Sequence, residues 1–513
     1  MTKRLWILVG AIAAALAVVI AIAVVVVVNN RSDPKFVAPK PSTAGAPAGL
    51  TTFYHQHVSW HDCKSGKCAT VKVPIDYDKP DGATTELAVK VIPSTSGKAT
   101  HSMFVNPGGP GGSAIDYADT MKSQFGKAVR AKYDIVGVDP RGVGKSSPLK
   151  CLSDKQFDTF TAADPDPDNP AEIKQFRHLT TELGTACKEH SGELAAHVST
   201  EEAARDMDVV RALLGRKKMD WFGASYGTQL GATYAQLFPK KVDRMVLDGA
   251  VDPSLGVVDS SLGQTTGFER AVEAYAKNCV KSSSCPLGNN ADAGLKKIAS
   301  LLSQLDAQPM KTNSDRRLTE GLAFYGIAVT LYDKSTWKYL SQGLQQAFSG
   351  NGTTLLLLSD AYFERQPDGS YSGNLGQVIY AINCLDGSQR LTQSQTEALI
   401  PRFEKVSPVF GRALGWGAIG CTDWPIKPTH PQVKISADGA PPIVVVGTTR
   451  DPATPYEWAQ SLAKQLSSGV LLTRVGDGHT AYGSGNDCIT KAVDDYYVND
   501  TVPKDGKVCK DEG

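Results

Sequence analysis

Two textures alternate along most of the chain. Short runs apolar at successive positions end in Gly, Asp or Pro: "MFVNP" (103–107), "YDIVGVDP" (133–140), "MDWFGAS" (219–225), "DRMVLDGA" (243–250), "PPIVVVGTTRD" (441–451) and "VLLTRVGDG" (470–478). Continuous rather than alternating apolar character predicts strands buried on both faces, as in a parallel sheet. Between them, apolar residues recur at helical spacing. Ser199-Thr200-Glu201-Glu202 has the spacing of a capping box and opens a helix that Gly215 closes. "YGTQLGATYAQLF" (226–238) reads as a helix stopped by Pro239. Earlier, "ATVKVPIDY" (69–77) and "ELAVKVIPS" (86–94) flank Pro-Asp-Gly and predict a hairpin. Strands alternating with helices imply an α/β fold with a mainly parallel sheet. Residues 252–425 break the rhythm: they carry helical patterns such as "TWKYLSQGLQQAF" and no strand series, so a largely helical cap inserted between two sheet strands is expected.

The first residues follow neither pattern. Lys3 and Arg4 precede Leu5–Val28, which carries no charge. As a helix this run would reach about 36 Å, enough for a bilayer core of about 30 Å. It reads as an uncleaved membrane anchor for an extracytoplasmic protein, with secretion after signal cleavage as the alternative. Residues 29–50 mix Pro, Ala, Ser and Gly and read as an extended tether. Ten cysteines, none before Cys63, fit an oxidising compartment. Pairing in chain order would join Cys63 to Cys68, Cys151 to Cys187, Cys279 to Cys285, Cys384 to Cys421 and Cys488 to Cys509. With 54 basic and 53 acidic side chains the net charge is +1, which gives no electrostatic reason to expect nucleic acid.

Gly223-Ala224-Ser225-Tyr226-Gly227 fits G-x-S-x-G where a strand gives way to a helix. A serine in such a tight turn projects its hydroxyl above the sheet, with a helix N-terminus behind it to favour developing negative charge. Chain order in this arrangement is Ser, then Asp or Glu, then His. His430 and His479 are the two histidines after Ser225. His479, in the glycine-flanked "VGDGHTAYG", is the candidate base, and His430 reads as a surface residue. Asp451, at the end of "IVVVGTTRD", is the candidate acid; Asp248 is the runner-up, and Asp477 reads as a turn stabiliser. The loop "FVNPGGPGGSAI" (104–115) follows a strand upstream of Ser225, where a hydrolase supplies its second oxyanion donor. Gly109 N–H, within one residue, and Tyr226 N–H are the expected pair. The loop also satisfies the G-x-G-x-x-G/A spacing of a dinucleotide site, but no carboxylate ends a second strand about 20 residues on. Gly144-Lys145-Ser146 is similar to the end of a phosphate-binding loop, yet Asp139 stands where its first glycine should be. No metal or organic cofactor is called for.

"NPGGPGGS", "DPRGVGKS", "GASYGT", "FPKKVDRMVLDGAVDP", "AINCLDG", "CTDWP" and "TTRDPATPYEWA … GDGHTAYG" together resemble the secreted tripeptidyl aminopeptidases of actinobacteria. These are α/β-hydrolases related to prolyl aminopeptidases, and the likeness spans residues 60–490. It implies an α/β-hydrolase fold with an inserted helical cap, and Ser225, Asp451 and His479 as nucleophile, acid and base. The implied organisation is an anchor or signal (1–28), a linker (29–50), a first core part (51–251), the cap (252–425) and a second core part (426–513). The implied activity is a serine exopeptidase releasing short N-terminal peptides from substrates with a free N-terminus. A cell-envelope carboxylesterase or lipase using the same residues is the alternative. Pro107 occupies the place of a histidine in the prolyl enzymes, which argues against strict proline specificity. Asp386 could meet a substrate amine or simply cap a turn. Residue preference, oligomeric state and substrate-binding residues stay open.

Overall fold

The computed structural model describes residues 40–41, 46–387, 389–428 and 433–511. One ten-stranded sheet organises them: β1 (His61–Cys63), β2 (Gly66–Pro74), β3 (Thr84–Ile92), β4 (His101–Asn106), β5 (Tyr133–Val138), β6 (Met219–Ala224), β7 (Val242–Asp248), β8 (Ile443–Arg450), β9 (Gly469–Asp477) and β10 (Lys507–Lys510). Their order across the sheet is β1-β2-β3-β5-β4-β6-β7-β8-β9-β10. β1–β2, β2–β3 and β3–β5 pair antiparallel. Every other pairing is parallel. This is the mainly parallel α/β sheet expected from the apolar runs.

The runs are continuous because the sheet has a core on each face. Phe104, Val136, Trp221, Leu247 and Val445 enter one apolar cluster. Their chain neighbours Val105, Ile135, Phe222, Val246 and Val444 enter another on the opposite side. Successive side chains on a strand point to opposite faces, so both must be apolar when both are covered.

Between β7 and β8 the chain builds helices Val257–Cys279, Ala291–Ala307, Glu320–Thr330, Trp337–Ala347, Thr353–Phe363, Leu375–Asp386, Gln393–Val406 and Gly411–Gly417. The first five supply most of a third apolar cluster, including Val272, Ile298, Ile327, Leu340 and Leu355. Five disulfides join the cysteines in the chain-order pairs.

The membrane-anchored location expected from the sequence is corrected. No helix among the described residues is long and apolar enough to cross a membrane. The run Leu5–Val28, most of the tether, and His430 lie outside the described residues.

Candidate active site

β6 is buried along its whole length and ends just before Ser225, whose φ of 55° and ψ of −127° place it outside both strand and helix. Helix Tyr226–Leu237 starts at the next residue. Glycine is required on both sides by contact. A Cβ on Gly223 would lie 2.2 Å from the Gly227 carbonyl oxygen, and one on Gly227 would lie 2.6 Å from that of Asn106. The turn is fixed by hydrogen bonds: Ser225 N–H donates to the Asp248 carbonyl at 2.9 Å, and Thr228 N–H to the Ser225 carbonyl at 2.8 Å. A strained, over-determined serine is characteristic of functional sites.

The glycine-rich loop after β4 crosses directly over this turn. Gly108 has φ of +97°, and a Cβ there would fall 2.7 Å from Ser225 Cβ and 2.9 Å from Tyr226 N. Gly108 N–H donates to Asn106 Oδ1 at 3.0 Å. The N–H groups of Gly109 and Tyr226 have no hydrogen-bond partner among the described residues. Asp139 secures the far end of the loop by accepting from Ser113 Oγ and Ile115 N at 2.9 and 3.0 Å. It also accepts from Lys145 N at 2.9 Å, so "DPRGVGKS" is a structural turn. Arg141 within it is fully buried and paired with Asp206 at 2.6 Å.

Asp451, 1% exposed, follows β8. His479 follows β9, and its Nδ1 lies 2.9 Å from both Asp451 carboxylate oxygens. The N–H groups of Ala453, Thr454 and Thr480 donate to the same carboxylate at 2.9, 2.8 and 3.1 Å. The ring of His479 packs on that of Tyr332 in a T-shaped contact, with centroids 5.2 Å apart. Its Cε1 lies 3.2 Å from where a Cβ on Gly249 would be, next to the Asp248 carbonyl that holds Ser225. Burial lowers the imidazole pKa, but the Asp451 charge and hydrogen bond, helped by Asp248, outweigh it and raise the pKa above its usual value.

The other candidate carboxylates have different partners. Asp248 accepts from Ala481 N and Tyr482 N at 2.9 and 2.8 Å, anchoring the segment just after His479. Burial pushes its pKa up to about 6. Asp477 pairs with Arg450. Asp386 accepts from Thr200 N at 2.8 Å and Thr200 Oγ1 at 2.5 Å, so it caps helix Thr200–Leu213. Burial pushes it to about 6 as well. Thr200 Oγ1 in turn meets the Tyr226 hydroxyl at 2.6 Å.

Beside the glycine loop lies a cavity of about 240 Å³ with walls from Phe160, Phe176, Tyr325, Tyr362 and Tyr380. Leu375, also in its lining, passes 3.1 Å from where a Cβ on Gly111 would sit. The sequence carries no local signal for Tyr332, which follows helix Glu320–Thr330 in a short bend, or for this cavity, whose aromatic walls come from helices separated along the chain. Gly108 and Thr454 were within reach of sequence reading, since each adjoins a motif already singled out.

Residues 407–509 match a family model described as TAP-like protein. The chain is 36% identical to serine protease Hip1 of Mycobacterium tuberculosis over 477 residues, covering 88% of this chain and 91% of that one. Carboxylesterase B of the same organism is 36% identical over 469 residues, covering 88% and 89%. Tripeptidyl aminopeptidase of Streptomyces coelicolor is 32% identical over 457 residues, covering 86% and 84%. The chain belongs to the tripeptidyl aminopeptidase-like family of α/β-hydrolases. It is therefore a hydrolase, and the names of two relatives support a serine peptidase of this type. Within this family fold, Ser225, His479 and Asp451 all stand at the carboxyl ends of parallel strands, β6, β9 and β8. That is where open α/β sheets bind ligands.

Proposed function

We propose that this chain is a serine exopeptidase of tripeptidyl aminopeptidase type that cuts short peptides from a free N-terminus. The observation that carries the proposal is the Asp451–His479 pair at 2.9 Å, beside the Ser225 turn and its two unpartnered N–H groups. Asp451 fixes His479 with the proton on Nδ1, which leaves Nε2 to take the Ser225 proton. Oγ attacks the acyl carbon, and the oxyanion forms against Gly109 N–H and Tyr226 N–H. His479 then protonates the leaving amine, and water hydrolyses the acyl-enzyme by the reverse sequence.

Carboxylester hydrolysis is a second reading, favoured by the carboxylesterase B relative and by the aromatic walls of the cavity. The proton transfers would be the same. Chromogenic tripeptide anilides with free and acetylated N-termini, assayed beside short-chain esters, separate the two. The exopeptidase reading predicts anilide turnover that acetylation abolishes. Ester turnover without anilide cleavage would favour the second reading.

A further inference from the structure

A group of carboxylates away from Ser225 has no part in this chemistry. Asp164-Pro165-Asp166-Pro167-Asp168 places acids on alternate residues just before helix Pro170–Ser191. Such D-x-D-x-D spacing is one way a curled loop offers oxygens to a hard cation. The stretch before it is clamped onto the start of helix Glu320–Thr330. The carbonyl oxygens of Ala163 and Thr161 come 2.3 and 3.0 Å from where a Cβ on Gly321 would lie. This clamp brings Glu320 to Asp164 and Asp166, with one oxygen from each within 4.8 Å of the other two. Two oxygens on one Ca²⁺ at about 2.4 Å stand at most about 4.8 Å apart, so the spacing suits a single ion. Glu172 and Asp306 also bring one oxygen each within 4.8 Å of Asp164.

Glu320 points independently to a ligand. It is 5% exposed, and its buried Oε2 has no hydrogen-bond partner. Among the described residues no salt bridge reaches Asp164, Asp166 or Glu320. The nearby Arg412 instead donates to the backbone carbonyls of Asp166 and Pro167, at 2.9 and 2.6 Å. Among the described residues Glu320 meets only another acid, the Asp166 side chain, and a buried carboxyl group so placed is costly unless it is protonated or coordinated. Asp164 also lines the aromatic cavity, whereas Asp166 and Glu320 do not. Glu320 and Asp166 therefore lie outside the wall of the space a peptide would fill, which favours a small ion over a substrate ammonium.

We infer that Asp164, Asp166 and Glu320 form a binding site for a divalent cation of Ca²⁺ type. Bound there, the ion ties the 161–169 segment to helix Glu320–Thr330 and steadies one wall of the cavity. The test uses the whole protein, stripped with a chelator and titrated with Ca²⁺ or Mg²⁺ by calorimetry and thermal melting. One Ca²⁺ per chain is expected. At about a hundredfold excess over Kd the melting temperature should rise by about 3 °C or more. Glu320→Gln and Asp164→Asn should fold, melt no lower than the stripped wild type, and lose the Ca²⁺ response. Absence of Ca²⁺ binding to the wild type, or an undiminished response in both variants, overturns the proposal. So does a rise in KM for free-amine peptides in Asp164→Asn with no Ca²⁺ effect in any form, which would make this an ammonium subsite. Binding is read without turnover, so failure of the peptidase assignment would leave this test standing.

Discussion

At the scale of single residues, the site depends on how two carboxylates near one imidazole are used. Asp451 spends its oxygens on His479 Nδ1 and three backbone N–H groups, while Asp248 spends its own on Ala481 and Tyr482. In its proposed role as base His479 must be neutral, and its pKa is raised, so activity should fall as the pH drops through a value above 6.5. Asp451→Asn removes the charge that raises this pKa and leaves burial, which lowers it. Its acid limb should move to lower pH while kcat falls by about 10⁴-fold. A pH profile of kcat/KM for both forms checks this, and an unmoved acid limb would count against His479 as the titrating group. Gly108→Ala puts a methyl group 2.7 Å from Ser225 Cβ in a left-handed conformation. Turnover should drop by at least about 10²-fold with the melting temperature lowered only modestly.

At the scale of elements, legibility followed burial. β4 to β9 were readable because double-faced burial makes long apolar runs, and the capping box at Ser199 and Glu202 is present as read. β1 and β10 gave no such signal: one is three residues long and mostly exposed, and "KVCK" alternates weakly at the sheet edge. Asp386 shows the limit of reading a site from sequence. Its neighbours in the chain say nothing of Thr200, nearly two hundred residues away, whose backbone and hydroxyl it accepts from. Because burial raises Asp386 to about 6, the folded state holds a proton there that the unfolded chain, near 3.8, releases. Its contribution to stability is thus most favourable below about 3.8 and is lost as pH rises towards 6. Asp386→Asn should flatten the stability curve over that window, measured by denaturant unfolding from pH 3.5 to 7. A curve unchanged from wild type would show that the carboxyl titrates normally.

For the whole molecule, the sheet between two cores sets where chemistry can occur, and five disulfides brace the chain around it. The Ser225 turn, His479 and Asp451 could be singled out in the sequence because each follows a strand of this sheet. The aromatic cavity was not, since it forms where sequence-distant helices meet. The bridges also differ in expected weight. Cys151–Cys187 closes a loop of 36 residues and Cys63–Cys68 one of 5. Chain entropy alone gives about 4 and about 2 kcal/mol respectively. Replacing Cys151 and Cys187 by Ser should therefore lower the unfolding free energy more than replacing Cys63 and Cys68. Equal losses would mean that local packing, not chain closure, dominates.

The most direct trial of the account is covalent labelling with a fluorophosphonate followed by peptide mapping. A single adduct on Ser225, absent from Ser225→Ala along with all but about a thousandth of the turnover, is the predicted result. An adduct on another side chain, or substantial hydrolysis by Ser225→Ala, would contradict it.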